Sequence, residues 1–145
     1  MKTNGGFLVT KIKQLGDRIF ERILAKKNID AFNGAQGRIL YVLWQEDGVP
    51  IKIISEKSGL AITSLTTMLE RMEKNGMISR KTDEADKRKT LLFLTDKAKE
   101  LKEAYDSVSN EMGNIYYRDF TDKEILQFEE YLNRIRVNLE EWSDK

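Results

Sequence analysis

Cysteine and histidine are both absent from the 145 residues of this chain. Without thiols there is no disulfide and no thiol redox switch, and no zinc site of the Cys/His type can form. Imidazole acid–base catalysis is excluded by the same count. Proline occurs once, at Pro50. No Gly/Ser-rich linker, internal repeat or low-complexity segment interrupts the chain, so a single unit with helical ends is expected. No apolar run approaches the roughly 20 residues of a membrane span. Residues 1–7 show no signal-peptide pattern. The expectation is a cytoplasmic protein without a membrane partner.

What is present is charge and amphipathic pattern. Apolar residues make up 40% and charged residues 34% of the chain, as in a globular, helix-rich protein. The net charge is only +1, but it is unevenly spread. Residues 119–145 hold eight acidic and four basic side chains, leaving +5 on residues 1–118. Carboxylates are scattered along solvent-facing helix positions. No phosphate-binding glycine loop, serine elbow or metal motif appears. An enzyme is therefore not expected, and neither a cofactor nor a metal is implied.

Apolar spacing predicts the helices. Leu8, Ile12, Leu15, Ile19 and Ile23 recur at steps of four and three, one face of a helix over residues 7–26. Asn33 and Gln36 form a capping box for the next helix, which carries Ile39, Leu40, Val42, Leu43 and Trp44 and ends near Asp47–Gly48. Pro50 suits the opening of a short helix over 51–57, and Gly59 suits the left-handed turn after it. A second helix over 62–75 has Leu65, Met68, Leu69 and Met72 on one face. Two short apolar runs, 77–78 and 91–94, flank a charged segment and read as a hairpin. A helix-turn-helix followed by such a hairpin is a winged helix, an arrangement suited to duplex DNA. After Thr95, one long helix is expected with Leu101, Ala104, Tyr105, Val108, Met112 and Ile115 in a stripe. Thr121 and Glu124 form a second capping box. The last helix then places Ile125, Phe128, Leu132, Ile135, Leu139 and Trp142 at alternating steps of three and four. The fold class is mainly α: a winged helix-turn-helix over 33–95, with helices over 7–27 and 96–143 forming a dimerisation region. Leu8, Ile12, Ile19, Ile125, Phe128, Leu132, Ile135 and Leu139 are the candidate dimer seam, because coherent stripes beyond what a winged helix can cover want a second copy.

With its apolar face turned inward, the 62–75 helix leaves Thr63, Ser64, Thr66, Thr67 and Arg71 outside. Short hydroxyl side chains approach a groove wall closely, and Arg71 can reach a phosphate or a guanine. In the hairpin, Arg80, Asp86, Lys87, Arg88 and Lys89 complete the candidate DNA-facing set. An arginine on a thin projection can enter a minor groove, and Asp86 can hold its guanidinium by charge-assisted hydrogen bonds.

Read as a whole, the chain resembles the multiple-antibiotic-resistance regulator (MarR) family of bacterial transcription factors. The family's run Leu-Glu-Lys-x-Gly-Leu-Ile-x-Arg stands here as Met72-Glu73-Lys74-Asn75-Gly76-Met77-Ile78-Ser79-Arg80. Its wing signature, Asp-x-Arg followed by Leu-Thr, stands as Asp86-Lys87-Arg88 and Leu94-Thr95. The resemblance implies a homodimer with interlocked terminal helices. It places recognition helices in successive major grooves of a pseudo-palindrome and wings in the flanking minor grooves. Arg88 is then the wing arginine and Asp86 its orienting partner. It also implies a repressor released by a small phenolic or lipophilic effector, with Tyr41, Trp44, Tyr105, Tyr116 and Tyr117 as candidates to line a cleft. Cysteine and histidine sensing, used elsewhere in the family, are unavailable here. Departures from the pattern fall at Thr67, where an arginine is usual, and at Ala61, Ile62, Gly37, Ser58 and Ala98. Base readout is expected to be weaker, or to rest more on shape and on Arg71. The competing expectation is a winged-helix protein-interaction module without specific DNA binding.

Overall fold

The computed structural model describes residues 1–144, and Lys145 lies outside the described residues. Among the described residues there are seven helices and two strands. In chain order they are α1 (Gly5–Lys26), α2 (Gly34–Gln45), α3 (Ile51–Ser58), α4 (Ile62–Lys74), β1 (Ile78–Thr82), β2 (Thr90–Leu94), α5 (Asp96–Lys99), α6 (Lys102–Tyr116) and α7 (Asp122–Ser143). This is a mainly α winged helix-turn-helix, as the apolar spacing predicts. The chain separates into two compact units, Met1–Asn110 and Glu111 onward.

Local chemistry sets the element ends in the first unit. Asn28 takes the left-handed conformation at φ 56°. The Ile29 N–H then donates to the Leu24 carbonyl at 2.9 Å, which stops α1. Asn33 and Gln36 form the expected capping box on α2. α3 ends at Gly59, where φ is 73°, a conformation that costs glycine little. The turn between α3 and α4 is stapled twice. Ser55 Oγ donates to the Leu60 carbonyl at 2.7 Å, and Ser58 Oγ accepts from the Leu60 N–H at 3.2 Å. Arg38 also donates to the Ser58 carbonyl. Ser58, unexpected at an apolar position, is therefore a buried polar group with its partners in place.

The core of this unit draws on α1 through α6. Ile39, Leu40 and Leu43 of α2, Ile54 of α3, Leu65, Leu69 and Met72 of α4, Leu92 of β2 and Val108 of α6 are all fully buried. The wing is antiparallel, with Ile78 opposite Leu94 and Thr82 opposite Thr90. Period-two alternation turns Ile78, Leu92 and Leu94 inward. A third segment joins this hairpin: Val49 pairs with Leu92, and Asp47 Oδ1 accepts the Leu94 N–H at 2.8 Å.

One expectation changes. The helix after Thr95 is not continuous from the wing. α5 is a single turn capped by Thr95, and α6 starts at Lys102. Ala98 is fully buried against the winged helix and its carbonyl accepts from Trp44 Nε1 at 3.3 Å. Thr95 Oγ1 donates to the Gly76 carbonyl at 2.6 Å. Those anchors fix α5 to the wing's base, and the helix breaks where the chain leaves it.

The second unit comprises the end of α6 and α7. Thr121 and Glu124 make the second capping box, and accepting the Thr121 N–H holds the Glu124 carboxyl below its ordinary range. Tyr117 packs edge-on against Phe120 and Phe128 and donates to Glu129 at 2.8 Å. Desolvation and the Glu129 carboxylate push its hydroxyl up to about 12. None of the described residues of this unit is fully buried.

Candidate nucleic-acid interface

α4 presents a face built from small polar side chains. Leu65, Leu69 and Met72 are buried, so the 3.6-residue repeat turns Thr63, Ser64, Thr66, Thr67, Glu70 and Arg71 outward, and all six are exposed. Ala61 is the N-cap and makes no side-chain cap bond. The first turn of α4 therefore has no side-chain cap from Ala61, and the helix dipole at that end favours a phosphate. Ile62, beside that end, is 49% exposed.

The wing tip is organised by two aspartates. Asp83 Oδ1 accepts from the Ala85 N–H at 2.9 Å, an Asx turn that starts the loop. Its own N–H donates to the Lys89 carbonyl, and the Lys89 N–H donates to the Asp86 carbonyl, each at 3.0 Å. Arg88 then forks onto Asp86, with Nε donating to Oδ1 at 3.0 Å and Nη2 to Oδ2 at 3.2 Å. The Arg88 N–H donates to the same Oδ1 at 3.1 Å. The hydrogen bonds from the Arg88 side chain and backbone hold the Asp86 carboxyl below its ordinary range, and Asp86 in turn raises Arg88. The Arg88 side chain is nevertheless 91% exposed. It is a cation with a fixed direction on an open loop, flanked by the exposed Lys87 and Lys89.

The structure brings Arg80 to α4 rather than to the wing tip: its Nε donates to Glu73 at 3.2 Å. Lys81, on the other face of β1, lies 5.1 Å from the centre of the Phe93 ring. Sequence reasoning passed over Asp83, Glu70 and Lys81. Asp83 had a readable signal, an aspartate two residues ahead of a loop N–H. Glu70 followed from the same helical repeat that selected Thr63 and Thr67. Lys81 had none, because its position depends on the strand register.

The aromatic candidates divide. Tyr105 is the hub of one group, with ring centres of Trp44 at 5.3 Å, Tyr41 at 5.8 Å, Phe32 at 6.0 Å and Phe20 at 6.1 Å. Burial raises the Tyr105 hydroxyl above its ordinary value. This group explains Gly37: a Cβ there would sit 3.0 Å from the Tyr105 ring. Tyr116 and Tyr117 meet edge-on, in the group containing Phe120 and Phe128.

The candidate dimer seam is largely uncovered. Leu8, Ile12, Leu132, Ile135 and Leu139 are exposed, while Ile19, Ile125 and Phe128 are half-buried. Among the described residues no group of His, Cys, Asp or Glu is placed to hold a metal, and no helix is long and apolar enough to cross a membrane.

Residues 32–90 match the model of the MarR family. The chain is 36% identical over 77 residues to the HTH-type transcriptional regulator TtmR of Methylorubrum extorquens. That match takes in 53% of this chain and 40% of TtmR, so the chain spans about two fifths of that relative's length. A mutant of MarR from E. coli, solved with operator DNA, superposes with a TM-score of 0.79 at 22% identity, over 90% of this chain and 91% of that one. BpsR of Bordetella bronchiseptica, whose DNA binding is regulated by 6-hydroxynicotinic acid, superposes with a TM-score of 0.81 at 17% identity, over 92% and 99%. The two solved structures match this chain in fold. The segment that matches the MarR family model, residues 32–90, lies on the helix-turn-helix and wing described above.

Proposed function

We propose that this protein regulates transcription by binding duplex DNA as a homodimer, with α4 in the major groove and the wing in the adjacent minor groove. The observation that carries the reading is the Asp86–Arg88 fork: an exposed guanidinium held in one direction on the wing that follows α4. Negative potential is focused in a narrow minor groove, and a preorganised arginine loses little freedom on entering it. Thr63, Ser64, Thr66, Thr67 and Arg71 are the groove-facing set on α4. Arg80, Lys87 and Lys89 supply further positive charge.

The uncovered stripes support the dimer. A helix of 22 residues without one fully buried side chain, α7, needs a partner for Leu132, Ile135 and Leu139. In this reading 33–95 is the DNA-binding region, and 7–27 with 96–143 the dimerisation region, of one unit. Two-fold symmetry then matches two recognition helices to two half-sites of a pseudo-palindrome. The protein acts in the cytoplasm as a repressor. The half-exposed Tyr41 and the rings of Trp44 and Tyr105 form the face for a small phenolic or lipophilic effector, a reading in keeping with the ligand regulation of BpsR.

The test is a titration of the purified protein against DNA upstream of its own gene, beside a shuffled duplex of equal composition, at two salt concentrations. Tight, salt-steep binding that spares the shuffled duplex is expected, since bound lysines and arginines release counterions. Equal, weak binding to both duplexes would favour a protein-interaction module, for which the exposed Ile62 would be the first contact to examine.

A further inference from the structure

The outward face of α4 is poor in the groups that usually read bases. Residues 61–70 contain no lysine, arginine, asparagine, glutamine or histidine. The bidentate pairings that identify guanine or adenine need one of the arginine, lysine, asparagine or glutamine side chains. The first basic side chain of the helix is Arg71, in its third turn.

That face offers methyl groups instead. Ile62 stands at the entering end of the helix with about half its surface exposed. Thr66, one turn on, donates its hydroxyl to the Ile62 carbonyl at 3.0 Å. A hydroxyl bonded back to its own helix has spent its donor, so the γ-methyl of Thr66 is the apolar group left to the outside. Ile62 and Thr66 thus form a small apolar step beside Thr63 and Thr67. Glu70 closes the face with a carboxylate that accepts from a cytosine amino group and repels phosphate.

Resting on the DNA-binding reading above, we infer that α4 reads its half-site mainly through the C5-methyl groups of thymine, contacted by Ile62 and Thr66. The thymine methyl is the apolar feature of the major groove, and it distinguishes T·A from the other pairs by contact alone. Each half-site therefore carries at least one required thymine on the strand that faces this apolar step.

The experiment begins with selection of binding sequences from a random duplex library by the full chain. In the selected site, each thymine is then replaced singly by deoxyuridine, which removes the C5-methyl and leaves pairing intact. Loss of about fourfold in affinity is expected for each buried methyl, and about fifteenfold when both half-sites are changed. Thr66→Ser keeps the back-bonding hydroxyl and removes only the methyl, while Ile62→Ala trims an exposed side chain. Each variant is expected to abolish the deoxyuridine penalty at one position. Deoxyuridine tolerated within twofold at every position would overturn the inference, as would penalties unchanged in both variants. In either case the selected sequence would still establish a DNA-binding regulator. A library from which no sequence is enriched would overturn the DNA-binding reading and this inference with it.

Discussion

Gly48 holds the wing's hairpin to the body, and replacing it with alanine tests that arrangement. Its φ is 70°, and a Cβ built there lies 2.6 Å from Cε1 and 2.9 Å from Cζ of Phe93. Two costs follow. A left-handed conformation costs an alanine about 1–2 kcal/mol. The collision adds about 1–3 kcal/mol, the range for forcing an extra carbon into packed space. Gly59 provides the control: its φ is 73°, yet nothing lies within 4 Å of its Cβ position, so Gly59→Ala carries the backbone cost alone. Gly48→Ala is expected to lose between about 2 and 5 kcal/mol. The urea midpoint then falls by roughly 1.5 M for a slope near 2 kcal/mol per molar. Gly59→Ala should lose about a third to a half as much. Adding Phe93→Leu to Gly48→Ala should recover the collision cost and leave the backbone cost. Equal losses for the two single variants, or a Gly48→Ala loss below about 1 kcal/mol, would refute the packing of Phe93 over this turn.

Other consequences can be measured directly. Arg88→Ala should weaken binding to specific and shuffled duplexes alike and reduce the slope of log K against log salt by about 0.9 per wing; an unchanged slope would remove Arg88 from the interface. Asp86 has its folded pKa lowered from 3.8 by the Arg88 hydrogen bonds, so the fork is intact above that ordinary value and is lost only as pH falls through the lower, folded one. A carboxyl NMR titration should find Asp86 ionising below 3.8, and in Arg88→Ala returning toward it; a wild-type midpoint at or above 3.8 would contradict the fork. Asn33→Ala removes one half of the α2 capping box and should cost about 1 kcal/mol in denaturant unfolding, with no loss arguing that the box is dispensable.

Much of this molecule was legible where one residue decides one local event. Asn33, Gly59 and Thr121 mark ends that depend on a side chain or a φ angle, and the structure has them there. The outward face of α4 was legible because burial of Leu65, Leu69 and Met72 fixes which residues stand opposite them. The break between α5 and α6 was not, because residues 96–115 keep an unbroken helical stripe. What interrupts it is tertiary: Thr95 bonded to the Gly76 carbonyl, and Ala98 seated under Trp44. The pairing of Arg80 with Glu73 was hidden for a similar reason, since it follows from how β1 crosses the end of α4. The aromatic residues showed the limit most clearly. Five rings at helical spacing suggested one lining, and only the three-dimensional packing separates the group around Tyr105 from the group around Tyr117.

The two tryptophans of the chain stand in opposite surroundings. Trp44 is half-buried, hydrogen-bonded to the Ala98 carbonyl and set against Tyr105, whereas Trp142 near the end of α7 is 75% exposed. The protein is thereby its own two-channel optical probe. Emission from a Trp142→Phe protein reports the aromatic group around Tyr105, the face proposed for an effector, with no label attached. Emission from a Trp44→Phe protein reports whether the far end of α7 is wet, and a blue shift with rising concentration would time the arrival of a second copy there.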